Sequence, residues 1–163
     1  MPEMVDPSIP LRDFQEGLEK NLIKLHPCKV DTSLWLYYDE PIPGMHRITY
    51  VRLNKDKVVT AFLMVAPAES YRGLRCFALG VATPEPYRGR GNAQEIVRAA
   101  IEEVKWMSKT MGEKEFYLDA CISVDNIASQ RVAEQVFKIK GEPGTDGLSG
   151  KPVLQYFLKV STD

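Results

Sequence analysis

The chain has 163 residues, 44% of them apolar and 26% charged, and a formal net charge of −1. That length suits one domain around one sizeable core, so residues 1–163 are expected to form a single domain. The near-neutral balance removes any bulk electrostatic drive toward nucleic acid or an anionic membrane, and neither is expected as a partner.

In chain order, Met1–Pro10 is acidic and proline-containing and lacks the apolar core of a signal peptide. Leu11, Phe14, Leu18, Leu22 and Leu25 recur at helical spacing, predicting an amphipathic helix over roughly 10–25. Ser33–Tyr38 reads as a short strand. His46–Leu53 and Lys57–Ala66, separated by Asn54-Lys55-Asp56, read as a hairpin, and the mostly apolar Leu74–Ala82 as a central strand. After a Pro/Gly/Arg-rich turn over 83–91, Ala93, Ile96, Val97, Ala100, Ile101 and Val104 mark one face of a helix over roughly 92–109. Asn92 is expected to cap it, answered by Glu95. Glu115–Ile122 is the next strand. A helix opening at Asp125-Asn126 carries Ala128, Val132 and Val136 on one stripe. Phe137–Lys140 is expected as a short strand, 142–150 as a glycine-rich loop, and Val153–Val160 as the closing strand. The 74–122 strand–helix–strand unit requires parallel pairing and the early hairpin antiparallel pairing, which predicts a mixed sheet flanked by helices. No apolar run reaches membrane-spanning length. Cys28, Cys76 and Cys121 are odd in number and form no C-x-x-C pair, so free thiols in a cytoplasmic compartment are expected. With His26 and His46 as the only histidines, no metal site is expected.

The chemistry concentrates in Arg88-Gly89-Arg90-Gly91-Asn92-Ala93, between a buried strand and a long helix. The first amides of a helix lack internal partners, and its dipole places partial positive charge there. Glycine lets the backbone approach a ligand closely, and two arginines add charge. The combination suits a pyrophosphate. Two common nucleotide patterns are absent: no Lys-Ser/Thr follows Gly91, and Gln94 stands where a third glycine is needed. R-x-x-G-x-A is present as Arg88, Gly91 and Ala93. Taken alone, the hexapeptide also fits a solvated helix cap.

That hexapeptide is similar to the CoA-pyrophosphate motif of the GNAT superfamily. Farther on, Asp119-Ala120 followed by Asn126-x-x-Ser129-x-x-Val132 resembles the branch that includes ribosomal-protein alanine N-acetyltransferases, as does the helix start Gly91-Asn92-Ala93-Gln94-Glu95. The resemblance covers roughly residues 74–137. It implies an α/β (α+β) GNAT fold, with a mixed central sheet of about six to seven strands and helices on both faces. It also implies acetyl-CoA as co-substrate, an amine acceptor (a protein N-terminus or a small molecule) and acyltransferase activity. It admits a homodimer. The link Thr83-Pro84-Glu85-Pro86 is slightly longer than usual, and the tyrosine that many members carry seven residues after the asparagine is Ala133 here. The N-terminal half, which usually shapes the acceptor site, shows no such match.

Acetyl transfer needs the thioester held near the amine, a proton acceptor, a donor for the oxyanion and a proton for the leaving thiolate. The resemblance sets Leu79, Gly80 and Val81 along pantetheine, on a strand opened by a bulge, with the Val81 amide as oxyanion donor. It sets Arg88, Gly89, Arg90, Gly91, Asn92 and Ala93 at the pyrophosphate and Asn126 and Ser129 at the cofactor. Ser129 then stands in for the missing tyrosine, although Asn126 also reads as a plain helix cap. Asp119 is the candidate catalytic base. Glu134, Glu69 in a loop before Tyr71, Tyr71 itself, Tyr117 and a water relay are alternatives. Ala133 and the lack of an obvious base also suit a catalytically idle CoA-binding domain that acts as a sensor or partner-binding module. A phosphate-binding or nucleotide-binding domain outside this superfamily is the third reading.

Overall fold

The computed structural model describes residues 7–163, so the first six residues of the acidic N-terminus lie outside it. Its elements are α1 (Ser8–Glu19), β1 (His26–Pro27), β2 (Trp35–Ile42), β3 (Met45–Leu53), β4 (Val59–Tyr71) and β5 (Leu74–Ala82). A short 3-10 turn (Glu85–Tyr87) leads to α2 (Asn92–Thr110), β6 (Glu115–Ser123), α3 (Ile127–Phe137), β7 (Glu142–Thr145) and β8 (Pro152–Ser161). The strands form one sheet in the order β1-β2-β3-β4-β5-β6-β8-β7. β5–β6 is its parallel pair, and the other neighbours are antiparallel.

Strand alternation sends each residue set to its own layer. From β4, Ala61, Leu63 and Val65 join Ile96, Val97, Ala100 and Val104 of α2 and Ala133 and Phe137 of α3. Phe62 and Met64 face the other way and join Leu11 and Phe14 of α1, where Phe14 meets Phe62 edge-on at 5.6 Å. Helices therefore cover both faces, as expected. α1 covers the β3–β4 part of its face.

Several expectations change. The sheet has eight strands rather than six or seven, because a two-residue β1 and a short β7 extend its edges. α1 stops at Glu19 instead of reaching residue 25. Asn21 adopts a left-handed backbone (φ 57°), the Leu22 N–H donates to the Gly17 carbonyl and the Asn21 N–H to Leu18, which is a Schellman closure. Leu22 is then 74% exposed. The strand expected at 137–140 is absent, because Phe137 ends α3 and packs in the core. β7 forms instead within the stretch read as a loop, pairing Glu142–Thr145 with β8. The α3 stripe is Ala133 and Phe137, flanked by half-buried Val132 and Val136, with Ala128 exposed. Glu69 lies within β4, not in a loop.

One buried carboxylate fixes the frame. Glu103 of α2 is only 4% exposed, and its carboxylate accepts the backbone N–H groups of Lys29, Val30 and Asp31 at 2.8–3.0 Å. Those three charge-assisted bonds offset the cost of burying the charge and pin the loop after β1 to α2. The three cysteines are free and buried.

Candidate functional site

The site begins where two strands separate. β5 and β6 pair through Cys76–Tyr117, Phe77–Leu118 and Ala78–Asp119, and no further. β5 nevertheless stays paired with β4 as far as Ala82, and β6 with β8 as far as Ser123. A cleft therefore opens between Leu79–Ala82 and 120–123, at the carboxyl ends of the parallel strands, where open α/β sheets bind ligands. The expected bulge is not the cause. The β4–β5 register shifts only between Ala68 and Tyr71, so the strand is opened by the departure of β6. The β5 backbone groups that face the cleft lack a strand partner.

Both helices that follow these strands start at the cleft. α2 is preceded by Gly91 in a left-handed conformation (φ 77°), with Gly89 likewise at φ 73°. Asn92 is not the cap. It is the first helical residue, and its Nδ2 donates to the Tyr87 carbonyl at 3.0 Å. Glu95 does not answer it either, because its carboxylate takes two bonds at 2.8 Å from Arg52. The helix start thus has no side-chain cap, and its first turn retains amides without an intrahelical partner. Arg88 Nε donates to the Thr83 carbonyl at 2.9 Å, and the Arg90 guanidinium lies 5.7 Å from the centre of the Tyr87 ring. Of these contacts only the Arg88 Nε bond is an anchor, and both arginines are exposed. The Thr83 hydroxyl oxygen is buried and has no hydrogen-bond partner among the described residues. An orphaned oxygen, an uncapped helix start and an open strand edge together fit a long ligand with polar groups along its length.

α3 starts as expected: the Asn126 carboxamide oxygen accepts the Ser129 N–H at 3.1 Å. Gln130 Nε2 holds the preceding turn through the Ser123 and Val124 carbonyls, each at 2.9 Å. Gln94 of α2 bonds Gln135 of α3, which ties the two helices together. Ser129 lies one turn before Ala133 on the same helix face, half-buried.

Asp119 occupies the opposite face of the sheet from α2 and α3, because its neighbours Leu118 and Ala120 point into their core. Gln155 Nε2 donates to both of its carboxylate oxygens, at 3.1 and 3.2 Å. Burial raises the Asp119 pKa above its ordinary value, and the Gln155 bond opposes this only in part. Around it, Tyr71 stacks on Phe157 with ring centroids 3.8 Å apart and meets Tyr117 edge-on at 4.8 Å. Leu79–Val81 thus lie on the β5 edge that β6 leaves, Arg88–Ala93 in the turn into α2 and its first residues, Asn126 and Ser129 at the start of α3, and Asp119 at the last β5–β6 pair. Glu134 is exposed on α3 and Glu69 exposed on β4. Sequence reasoning missed Thr83, Phe157 and the Asp119–Gln155 contact. The last had one signal, a glutamine in the polar register of the closing strand.

The family model for acetyltransferase (GNAT) matches residues 16–138. No curated protein sequence matches the chain significantly. A chimeric spermidine N-acetyltransferase from Vibrio cholerae superposes with TM-score 0.51 at 12% identity, over 69% of each chain. A point mutant of the Vibrio cholerae spermidine N-acetyltransferase gives 0.51 at 13% identity, over 69% of this chain and 64% of that one. An acetyltransferase (GNAT family) from Bacillus anthracis gives 0.48 at 16%, over 71% and 66%. At such identities these likenesses concern the fold. No helix among the described residues is long and apolar enough to cross a membrane.

Proposed function

The chain belongs to the acetyltransferase (GNAT) family, and on that premise we propose that it transfers the acetyl group of acetyl-CoA to a primary amine. The observation that carries this reading is the parting of β5 from β6 after Ala78 and Asp119, in line with the uncapped start of α2 at Gly91. A strand edge lacking a partner suits pantetheine amides, and an uncapped helix start suits a pyrophosphate.

Acetyl-CoA, when bound, supplies the activated acyl group; the chain supplies position and proton handling. Leu79, Gly80 and Val81 hold the pantetheine arm, with the Val81 N–H as donor to the acyl oxygen. Gly89, Gly91, Asn92 and Ala93 offer backbone to the pyrophosphate, and Arg88 and Arg90 offer charge. The Asn126 oxygen is committed to the α3 cap, which leaves its Nδ2 for the cofactor. Ser129 donates to the departing sulfur from the helix face that bears Ala133 one turn later. Asp119 takes the proton from the amine. Its raised pKa moves it toward the range in which a carboxylate serves as a base, and it approaches the cleft from the face opposite the cofactor helices.

The Asp119-Ala120 and Asn126-x-x-Ser129-x-x-Val132 segments favour the branch of ribosomal-protein alanine N-acetyltransferases. We read residues 1–163 as one such domain, and its three free thiols suit the cytoplasm. A second reading, a CoA-binding sensor without turnover, is favoured by Ala133: it is 6% exposed, with no phenol for the thiolate.

Thermal denaturation with acetyl-CoA, CoA and ATP tests the binding half, since a native-state ligand raises apparent stability. Stabilisation by ATP but not by acetyl-CoA rejects both readings. Free-thiol release with an amine panel tests the catalytic half.

A further inference from the structure

We infer that the acceptor is a small amine bearing a carboxylate rather than a protein N-terminus, seated in the concavity of about 280 Å³ that Gln155 shares with Asp119, an inference that rests on the acetyl-transfer reading. Tyr71, Arg72, Tyr117, Lys140, Gln155 and Phe157 line this concavity. It lies on the face of the sheet that carries Asp119, outside the area covered by α1.

Three observations point to that ligand. First, the concavity adjoins the proposed base through a shared side chain. Gln155 lines it while donating to both Asp119 oxygens, and Phe157 is the register partner of Asp119 on β8. Asp119 is also the last β6 residue paired before the cleft, so the base stands between the concavity, by way of Gln155, and the cleft that takes the thioester. Second, the walls are aromatic: Tyr71 and Phe157 lie parallel, and Tyr117 closes the corner. A flat or methylene-rich body fits against them.

Third, the rim carries positive charge that no carboxylate neutralises by an ion pair among the described residues. Lys159 is paired with Glu115 at 2.6 Å. Arg72 and Lys140 take part in no ion pair among the described residues, and Glu142 is the only carboxylate in the lining. Arg72 is held near the wall, its guanidinium carbon 5.1 Å from the centre of the Tyr71 ring and within the influence of Tyr117. Tyr117 and Asp119 are alternate residues of one strand, about 7 Å apart. An amine at Asp119 whose far end lies one ring-length along the strand, at Tyr117, has that end in the concavity that Arg72 also lines. A carboxylate there is attracted, whereas the second ammonium of a diamine is repelled. The larger concavity beside α1, about 310 Å³, offers no such charge, because its Arg47 is pinned by Asp39 at 2.6 Å.

Three probes of one shape test this: 4-(aminomethyl)benzoate, 4-(aminomethyl)benzamide and 1,4-bis(aminomethyl)benzene. They differ only in the far group, which is negative, neutral or positive. Calorimetric titration into the CoA-saturated protein is expected to give the tightest binding for the benzoate, by about five- to tenfold over the amide, with the diamine weakest. Arg72→Ala and Lys140→Ala truncate exposed side chains, so the fold persists, and together they should bring the three affinities together. Equal affinities, a tighter diamine, or an order insensitive to both substitutions overturns the inference. Thiol release, read separately, decides the acetyl-transfer reading. Charge-ordered binding without thiol release removes the reaction and leaves the site, whereas thiol release without charge ordering does the reverse.

Discussion

Ala78 on β5 and Asp119 on β6 are the last residues paired before the two strands part. The proposed base is thus fixed by the same ladder whose end opens the cleft. Asp119 rests on a paired strand on its other side too, opposite Phe157. With Gln155 donating to both of its oxygens, the carboxylate has little freedom to turn away from an incoming amine.

Burial raises the Asp119 pKa, and this has a kinetic and a thermodynamic consequence. The acid limb of kcat/KM should lie above the ordinary aspartate value of about 3.9, and Asp119→Asn should remove that limb along with most of the rate. For stability, the folded state holds its proton more tightly than the unfolded state. Asp119 therefore costs stability above its folded pKa, and the cost disappears as pH falls through that pKa toward the unfolded value. Asp119→Asn should be neutral or stabilising at pH 7 and lose that advantage in acid, as read by denaturation midpoints at both pH values. A limb unmoved by the substitution assigns the base elsewhere.

Gly91 separates backbone strain from ligand contact. A Cβ at Gly91 meets no atom within 4 Å, and the same holds for Gly44, with φ values of 77° and 84°. Gly91→Ala and Gly44→Ala should each cost about 1–2 kcal/mol through left-handed strain. Only the former should weaken acetyl-CoA binding, and Gly91→Val should abolish it while the fold persists. Equal acetyl-CoA affinity in the two alanine variants returns the turn to a surface cap.

Arg88→Ala should raise the KM for acetyl-CoA more than it lowers kcat, and the wild-type affinity should fall with salt more steeply than that of the variant. Charge-assisted bonds to phosphate are worth roughly 1.5–3 kcal/mol. One edge of the Arg88 guanidinium already serves the Thr83 carbonyl, so the lower end is expected. A fall in kcat at unchanged KM would place Arg88 in the chemistry or in the architecture.

How far the site was legible depended on whether its parts are local. The Asn126 cap and the glycines at 89 and 91 are set by a few adjacent residues, and they emerged as read. Asn92 misled because a cap-type residue one position after a left-handed glycine falls inside the helix, and Glu95 because an arginine on β3 competes for it. The edge strands β1 and β7 were missed since two- and four-residue strands lack a period to detect. The concavity beside Asp119 joins β4, β6, β8 and the loop before β7, a meeting that no local pattern encodes.

Ser129 separates the enzyme from the sensor. Its backbone N–H serves the Asn126 cap, so Ser129→Ala leaves that bond in place and should shift stability by less than about 0.5 kcal/mol. Asn126→Ala, which removes the acceptor, should cost about 1 kcal/mol and serves as the structural control. If the Ser129 hydroxyl assists the departing thiolate, its loss removes an interaction that strengthens in the transition state. Then kcat and kcat/KM fall together while acetyl-CoA still binds. Proton donors supply about 10²–10⁴-fold, and an alcohol of such high pKa belongs at or below the low end. Restoring the phenol by Ala133→Tyr is a poorer probe, because Ala133 is packed against the core and overfilling that position costs about 1–3 kcal/mol. Ser129→Cys is better, since it keeps a donor of similar reach and should recover part of the rate. Unchanged kinetics in Ser129→Ala would return the residue to a plain first-turn position. If, in addition, no amine releases thiol above the hydrolytic background, the CoA-binding sensor replaces the enzyme.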